Sequence, residues 1–240
     1  MLFKKTIFFL CFFIFSLTVH AQTVDEIITK YIAFTGGAEQ WKKVRTMVTS
    51  GTYNYGGMEF PFISYSKAPD RYKYVVSSNG KYFAQAFDGN TGWRIDGFKD
   101  ETKKTILTGR PALAMANEAD VELESPFINY QQKGHKAMLE GKDTIEGKLC
   151  FKIQFIKNNA DTATYFFNTE NFELIKKQAI AKNAELDNAM LDTFYSDYQI
   201  VQGLKIPFKS VSKVGDQTIL TIVIKKVEIN TPIPDSDFKP

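Results

Sequence analysis

The sequence predicts a mainly β protein, one large curved antiparallel sheet with two or three helices at one side. Three observations predict it. From residue 46 onward the apolar residues recur with period two, clusters of Gly, Asn and Asp interrupt that alternation at hairpin spacing, and a helical period appears in only a few stretches. The composition of the 240 residues, 44% hydrophobic and 24% charged, is that of a globular chain and excludes disordered, collagen-like and disulfide-scaffold classes.

The chain opens on Lys4 and Lys5, then an apolar run from Thr6 to Val19 that closes on Val19-His20-Ala21. This pattern predicts a secretory signal peptide cleaved after Ala21, because about fourteen apolar residues fall short of the ~20 that span a bilayer. Cys11 lies between Phe9-Leu10 and Phe12-Phe13, a context that does not fit a lipidation site. Losing Lys4 and Lys5 takes the formal net charge from +3 to +1, so no overall field draws nucleic acid or an anionic membrane. Residues 22–240 then read as a single domain, since no Pro-, Gly- or Ser-rich linker divides them; a split into two packed β domains near 110–130 is the alternative.

Thr23 with Glu26 makes a capping box, and Val24, Ile27, Ile28, Tyr31 and Ile32 follow at helical spacing up to Gly36-Gly37. A short second helix is expected over 38–44. Strands are then expected at 47–55, 58–65, 71–76, 81–87 and 93–95, with turns at Gly56-Gly57, Ser78-Asn79-Gly80 and Asp88 to Gly92. Residues 97–108 read as a charged loop, 111–121 as a helix with one apolar side, and 125–130 as a short helical turn. Seven further strands are expected at 137–145, 149–156, 162–167, 172–181, 191–201, 204–214 and 218–229. The total is eleven or twelve strands.

The residues offer little covalent chemistry. Once the leader is removed, Cys150 and His135 are the remaining thiol and imidazole, which forbids an internal disulfide, and they sit in a strand and a loop without the spacing of a catalytic pair or a metal site. Asp88, Asp96, Asp192 and Asp197 are candidate paired carboxylates for hydrolysis, but Asp88 has the sequence context of a turn residue that caps its own backbone. No phosphate-cradling glycine motif is present. The reading is of a protein that is not an enzyme and needs neither metal nor cofactor.

Aromatic content stands out instead, with 21 Phe, 11 Tyr and 2 Trp, of which only six Phe belong to the leader. Met58, Phe60, Phe62, Tyr72, Tyr74, Phe83, Phe87, Trp93 and Ile95 fall at alternate positions of neighbouring strands and so are expected to share one sheet face. That face is either a packed core or the wall of an apolar cleft, because a dozen strands present more concave surface than a few short helices cover.

The order of segments resembles a known family. Lys67-Ala68-Pro69-Asp70-Arg71, FDGNTGW (87–93), LEGKDTIEGKLCFKI (139–153), TYFFNTENFELIKK (164–177), YSDYQIVQGLKIPF (195–208) and INTPIPDSDF (229–238) are similar to the outer-membrane lipoprotein-sorting proteins of the LolA-like superfamily, in its longer branch. The resemblance implies an incomplete antiparallel β-barrel of about eleven strands whose helices cover an apolar concave face. It further implies a periplasmic carrier or binder of lipid or lipoprotein acyl chains, with the nine residues above lining the cavity, Leu113 and Met115 in a lid, and Arg71 as the basic residue of the rim. The partners implied are a lipid or acylated lipoprotein and a membrane protein that loads or receives it. A structural or protein-interaction module of the cell envelope with a filled core is the alternative.

Overall fold

Thr23 accepts a hydrogen bond from the Glu26 amide at 3.2 Å and donates its own amide to the Glu26 carboxylate at 3.0 Å, so the expected capping box starts helix α1 (Val24–Phe34). The computed structural model describes residues 22–240 apart from 123–124, 182–185 and 187; the expected leader, with Cys11, lies outside the described residues. Helix α1 ends where Gly37 returns its amide to the Ile32 carbonyl. Gly36, at φ +111°, is required there, since a Cβ would meet the Gly203 carbonyl oxygen at 2.4 Å. A single turn, α2 (Ala38–Trp41), follows.

Six strands come next: β1 (Thr46–Tyr55), β2 (Met58–Lys67), β3 (Arg71–Ser78), β4 (Lys81–Phe87), β5 (Gly92–Asp96) and β6 (Thr105–Ile106). Helix α3 (Gly109–Glu122) precedes seven more: β7 (Lys136–Ile145), β8 (Lys148–Ile156), β9 (Thr162–Asn168), β10 (Leu174–Ile180), β11 (Met190–Val201), β12 (Leu204–Val214) and β13 (Gln217–Ile229). The two-residue β6, which pairs with Trp93 and Arg94, is an element the charged loop concealed.

All thirteen strands form one open antiparallel sheet in the order β6-β5-β4-β3-β2-β1-β13-β12-β11-β10-β9-β8-β7. Two meanders are therefore joined where the first strand pairs with the last, from Met47 opposite Ile229 to Tyr55 opposite Leu220. A register shift at Ser50/Gly51 bends this seam, and Gly51 permits it because a Cβ would lie 2.1 Å from the Val223 carbonyl oxygen.

The two free edges of the sheet, β6 and β7, are consecutive in the chain. The connection between them, residues 107–135, must travel from one edge to the other. It does so across the concave side: Met115 and Ala119 of α3 pack on Tyr72 and Phe87, and Phe127 packs on Phe155, Tyr165 and Phe167. A covering layer is thus imposed by the topology.

Register fixes which side chains share that inner face. Met58, Phe60 and Phe62 of β2 lie on the side of Tyr72 and Tyr74, which lie on the side of Phe83 and Phe87. The expectation that Trp93 and Ile95 join them is corrected by the structure. Phe87 pairs with Gly92, so the four-residue turn reverses the parity and Trp93 and Ile95 stand opposite Ala86 and Ala84, on the outer face.

The outer face of this half is covered by the last ten residues. Ile233 and the fully buried Phe238 pack on Val48, Ile63 and Tyr65. Lys67 and Arg71 pair with Asp235 at 2.6 and 3.6 Å, and Lys104 donates to the Lys239 carbonyl at 2.8 Å.

Candidate functional site

A concavity lies over the second meander. A cavity of about 480 Å³ opens between α1, the 125–127 segment and strands β8 to β12. Its apolar wall is made by Tyr31, Phe127, Phe155, Tyr165, Leu174 and Ile206. Each reaches it for a local reason: Tyr31 falls on the buried stripe of α1 with Ile27 and Ile28, and Phe155 and Tyr165 occupy inward positions of paired strands.

Phe127 is the centre of this wall. Its ring lies 4.8 Å from those of Phe155 and Tyr165 and 5.5 Å from those of Tyr31 and Phe167, mostly edge to face. The segment bearing it is tied to α1 by hydrogen bonds from Tyr130 and Gln131 to the Asp25 carboxylate. One element of the covering layer therefore depends on another.

Polar groups gather at one part of the lining. Tyr198 donates to the Leu174 carbonyl at 2.9 Å, and Trp41 donates to Thr35 Oγ1 at 3.1 Å. Burial, and secondly the neighbouring Tyr195, pushes the Tyr31 phenol well above the usual range; burial does the same for Tyr165 and Tyr198, reinforced by nearby tyrosines. These hydroxyls stay protonated. Lys157, Lys177, Lys205 and Asp161 complete the lining.

Among the described residues Cys150 and His135 are each held by other partners. The Cys150 thiol is fully buried on the outer face, burial pushes it up, and it points to the Lys148 carbonyl. His135 is also buried and accepts the Asn158 amide at Nδ1. Asp88 accepts the amides of Asn90 and Thr91 at 3.0 and 2.7 Å, the turn-capping role expected of it, while Asp96 accepts that of Phe98 at 3.2 Å. Among the described residues no group of three His, Cys, Asp or Glu could hold a metal ion.

The residues singled out in the sequence are divided by the fold. Met58, Phe60, Phe62, Tyr72, Tyr74, Phe83 and Phe87 lie on the same sheet face as the cavity but over the first meander, and none lines it. Tyr72 and Phe87 are under α3; Met58 is 62% exposed. Met115 is 1% exposed against the sheet and Leu113, 66% exposed, faces away from it. Trp93 and Ile95 are buried on the outer face, and Arg71 is held there by Asp235. The cavity residues Phe155 and Tyr165 were present in the sequence as aromatics of the expected strands 149–156 and 162–167. Nothing in that pattern told which strands α1 and Phe127 would cover.

No family model matches the chain, and no similar sequence is found among curated proteins. Solved structures do match it. A DUF1329 family protein from Desulfovibrio piger superposes with a TM-score of 0.62 at 12% identity, covering 91% of this chain and 98% of its own. A LolA superfamily protein from Nitrosomonas europaea gives 0.58 at 11% identity over 92% and 99%, and an outer membrane lipoprotein-sorting domain from Vibrio parahaemolyticus gives 0.59 at 10% over 89% and 95%. The chain therefore shares the fold of these structures, an open antiparallel sheet with helices against one face.

Proposed function

We propose that the protein is a non-covalent binder or carrier of acyl chains, from lipid or lipidated protein, working in the periplasm between membrane partners that load and unload it. The observation that carries this reading is the 480 Å³ cavity with an aromatic and aliphatic wall, a size within the ~300–1,000 Å³ of ligand sites. Each methylene buried there contributes about 0.8 kcal/mol, so a chain of a dozen carbons needs no covalent bond to be retained. The likeness to LolA-type folds supports the same reading. Met58, Phe60, Phe62, Tyr74 and Phe83 continue the face beyond the cavity and would contact a longer chain. Tyr72 and Phe87 would join them when α3 lifts.

Native mass spectrometry of protein purified without detergent tests it, together with uptake of a fluorescent fatty acid. Bound lipid or acylated peptide in the wild type, lost in Ala179→Trp, is the expected result, since Ala179 and its cross-strand partner Ala163 both line the cavity. A protein that purifies empty and takes up no lipid overturns the reading in favour of an interaction module.

A further inference from the structure

Phenylalanine rings fix the ring of Tyr165 in the cavity wall: Phe127 edge-on at 4.8 Å, Phe155 edge-on at 5.9 Å and Phe167 stacked at 6.4 Å. The residue stands at an inward position of β9, opposite Ile153 on β8 and Lys177 on β10, and is 6% exposed. Its hydroxyl differs from those of two other tyrosines of this half. Tyr198 donates to the Leu174 carbonyl and Tyr130 to the Asp25 carboxylate. Among the described residues the Tyr165 hydroxyl has no hydrogen-bond partner, yet no sealed side-chain oxygen or nitrogen is left unbonded. The Tyr165 oxygen therefore opens onto space, and the space its side chain lines is the cavity.

A ring locked by its neighbours carries a donor into an apolar space, where a donor is stabilised only if what enters the space brings an acceptor. We propose that the bound acyl chain presents the carbonyl oxygen of its ester or amide linkage to the Tyr165 hydroxyl, with the chain lying against Phe127, Phe155 and Leu174. This inference rests on the acyl-binding reading above and adds the linkage that the site recognises. Burial keeps the phenol protonated, so it is a donor at working pH. The carbonyl of an ester or amide is a neutral acceptor, and beside these rings it is desolvated at far lower cost than a carboxylate or a phosphate. A hydrocarbon chain without such an oxygen would leave the hydroxyl unpaired.

Binding of four probes to delipidated protein tests it: monopalmitoylglycerol, an ester; palmitoylethanolamide, an amide; hexadecylglycerol, the matching ether without the carbonyl; and palmitate. The wild type is expected to bind the ester, the amide or both more tightly than the ether by about three- to tenfold. The ester and amide arms decide which linkage is read. In Tyr165→Phe, which removes an oxygen and keeps the ring, the ratio should fall towards one while the ether keeps its affinity, and that unchanged arm guards against misfolding. Equal affinity of the wild type for carbonyl and ether probes, or a ratio retained in Tyr165→Phe, overturns the inference. Palmitate bound where neither the ester nor the amide is bound also overturns it, in favour of a charged head, and leaves the acyl-binding reading standing. Binding of none of the four instead overturns that reading.

Discussion

The indole N–H of Trp93 donates to the carbonyl oxygen of Phe238 at 2.6 Å, a bond between the fifth strand and the last residues of the chain. Lys104, 4.1 Å over the same indole ring, also donates to the Lys239 carbonyl, so the terminal segment is held by two neighbours that touch each other.

Phe238→Ala should cost ~3–5 kcal/mol, because a fully buried ring is removed from a site with Val48 and Ile233. Calorimetry should show a melting temperature lower by roughly 10 °C. Acyl-chain uptake should survive, as the cavity is on the other face. A stability change within error would mean that the terminal segment does not hold the outer face in solution.

Asp235 gives the same segment a pH dependence. Its hydrogen bond from Lys67, followed by the charge of Arg71, holds its carboxyl below the usual value. A depressed folded value contributes stability above the unfolded carboxylate range and loses it as pH falls through the lowered value. The effect is small at this exposed site. Asp235→Asn should narrow the gap in melting temperature between neutral and acidic buffer, and an unchanged gap would remove the carboxylate from the account.

At the alkaline end the cavity tyrosines act in the opposite sense. Their folded values are raised, so their contribution is complete below the unfolded phenol value of about 10 and is lost as pH rises above it. Tyr165→Phe should move the alkaline unfolding midpoint upward in a titration followed by far-UV circular dichroism. A midpoint that stays in place would show that this phenol is not buried as described.

Phe127→Ala should lower stability by ~3–5 kcal/mol and enlarge the cavity at its centre. Added fatty acid should then raise the melting temperature of the variant less than that of the wild type, because ligand stabilises by RT ln(1 + [L]/Kd) and the ring at the centre of the apolar wall is gone. An equal rise in both proteins would place the ligand away from this ring.

Most of the strands were legible because hairpin turns and period-two alternation are local. The capping box of Thr23 and the strand over 81–87 fall where the residues placed them. The pairing of β1 with β13 was not legible, since no local signal connects residues so far apart. The faces of Trp93 and Ile95 depended on one turn having four residues between paired positions. The cavity was hidden for a third reason. Its wall is completed by Tyr31 from a helix and Phe127 from a connection, and only the covering of the sheet brings them to Phe155 and Tyr165.

The seam between the first and last strands also sets an order of assembly. A chain emerging N-terminus first can zip β1 to β6 early, but one side of β1 keeps its amides and carbonyls open until residues 217–229 arrive. Such distant closure is slow, and an unfinished strand edge is a template for pairing with the wrong chain. Folding of this protein is therefore most vulnerable in the interval before its thirteenth strand is made, and an escort that shields β1 during that time would raise its yield more than any change to the finished core.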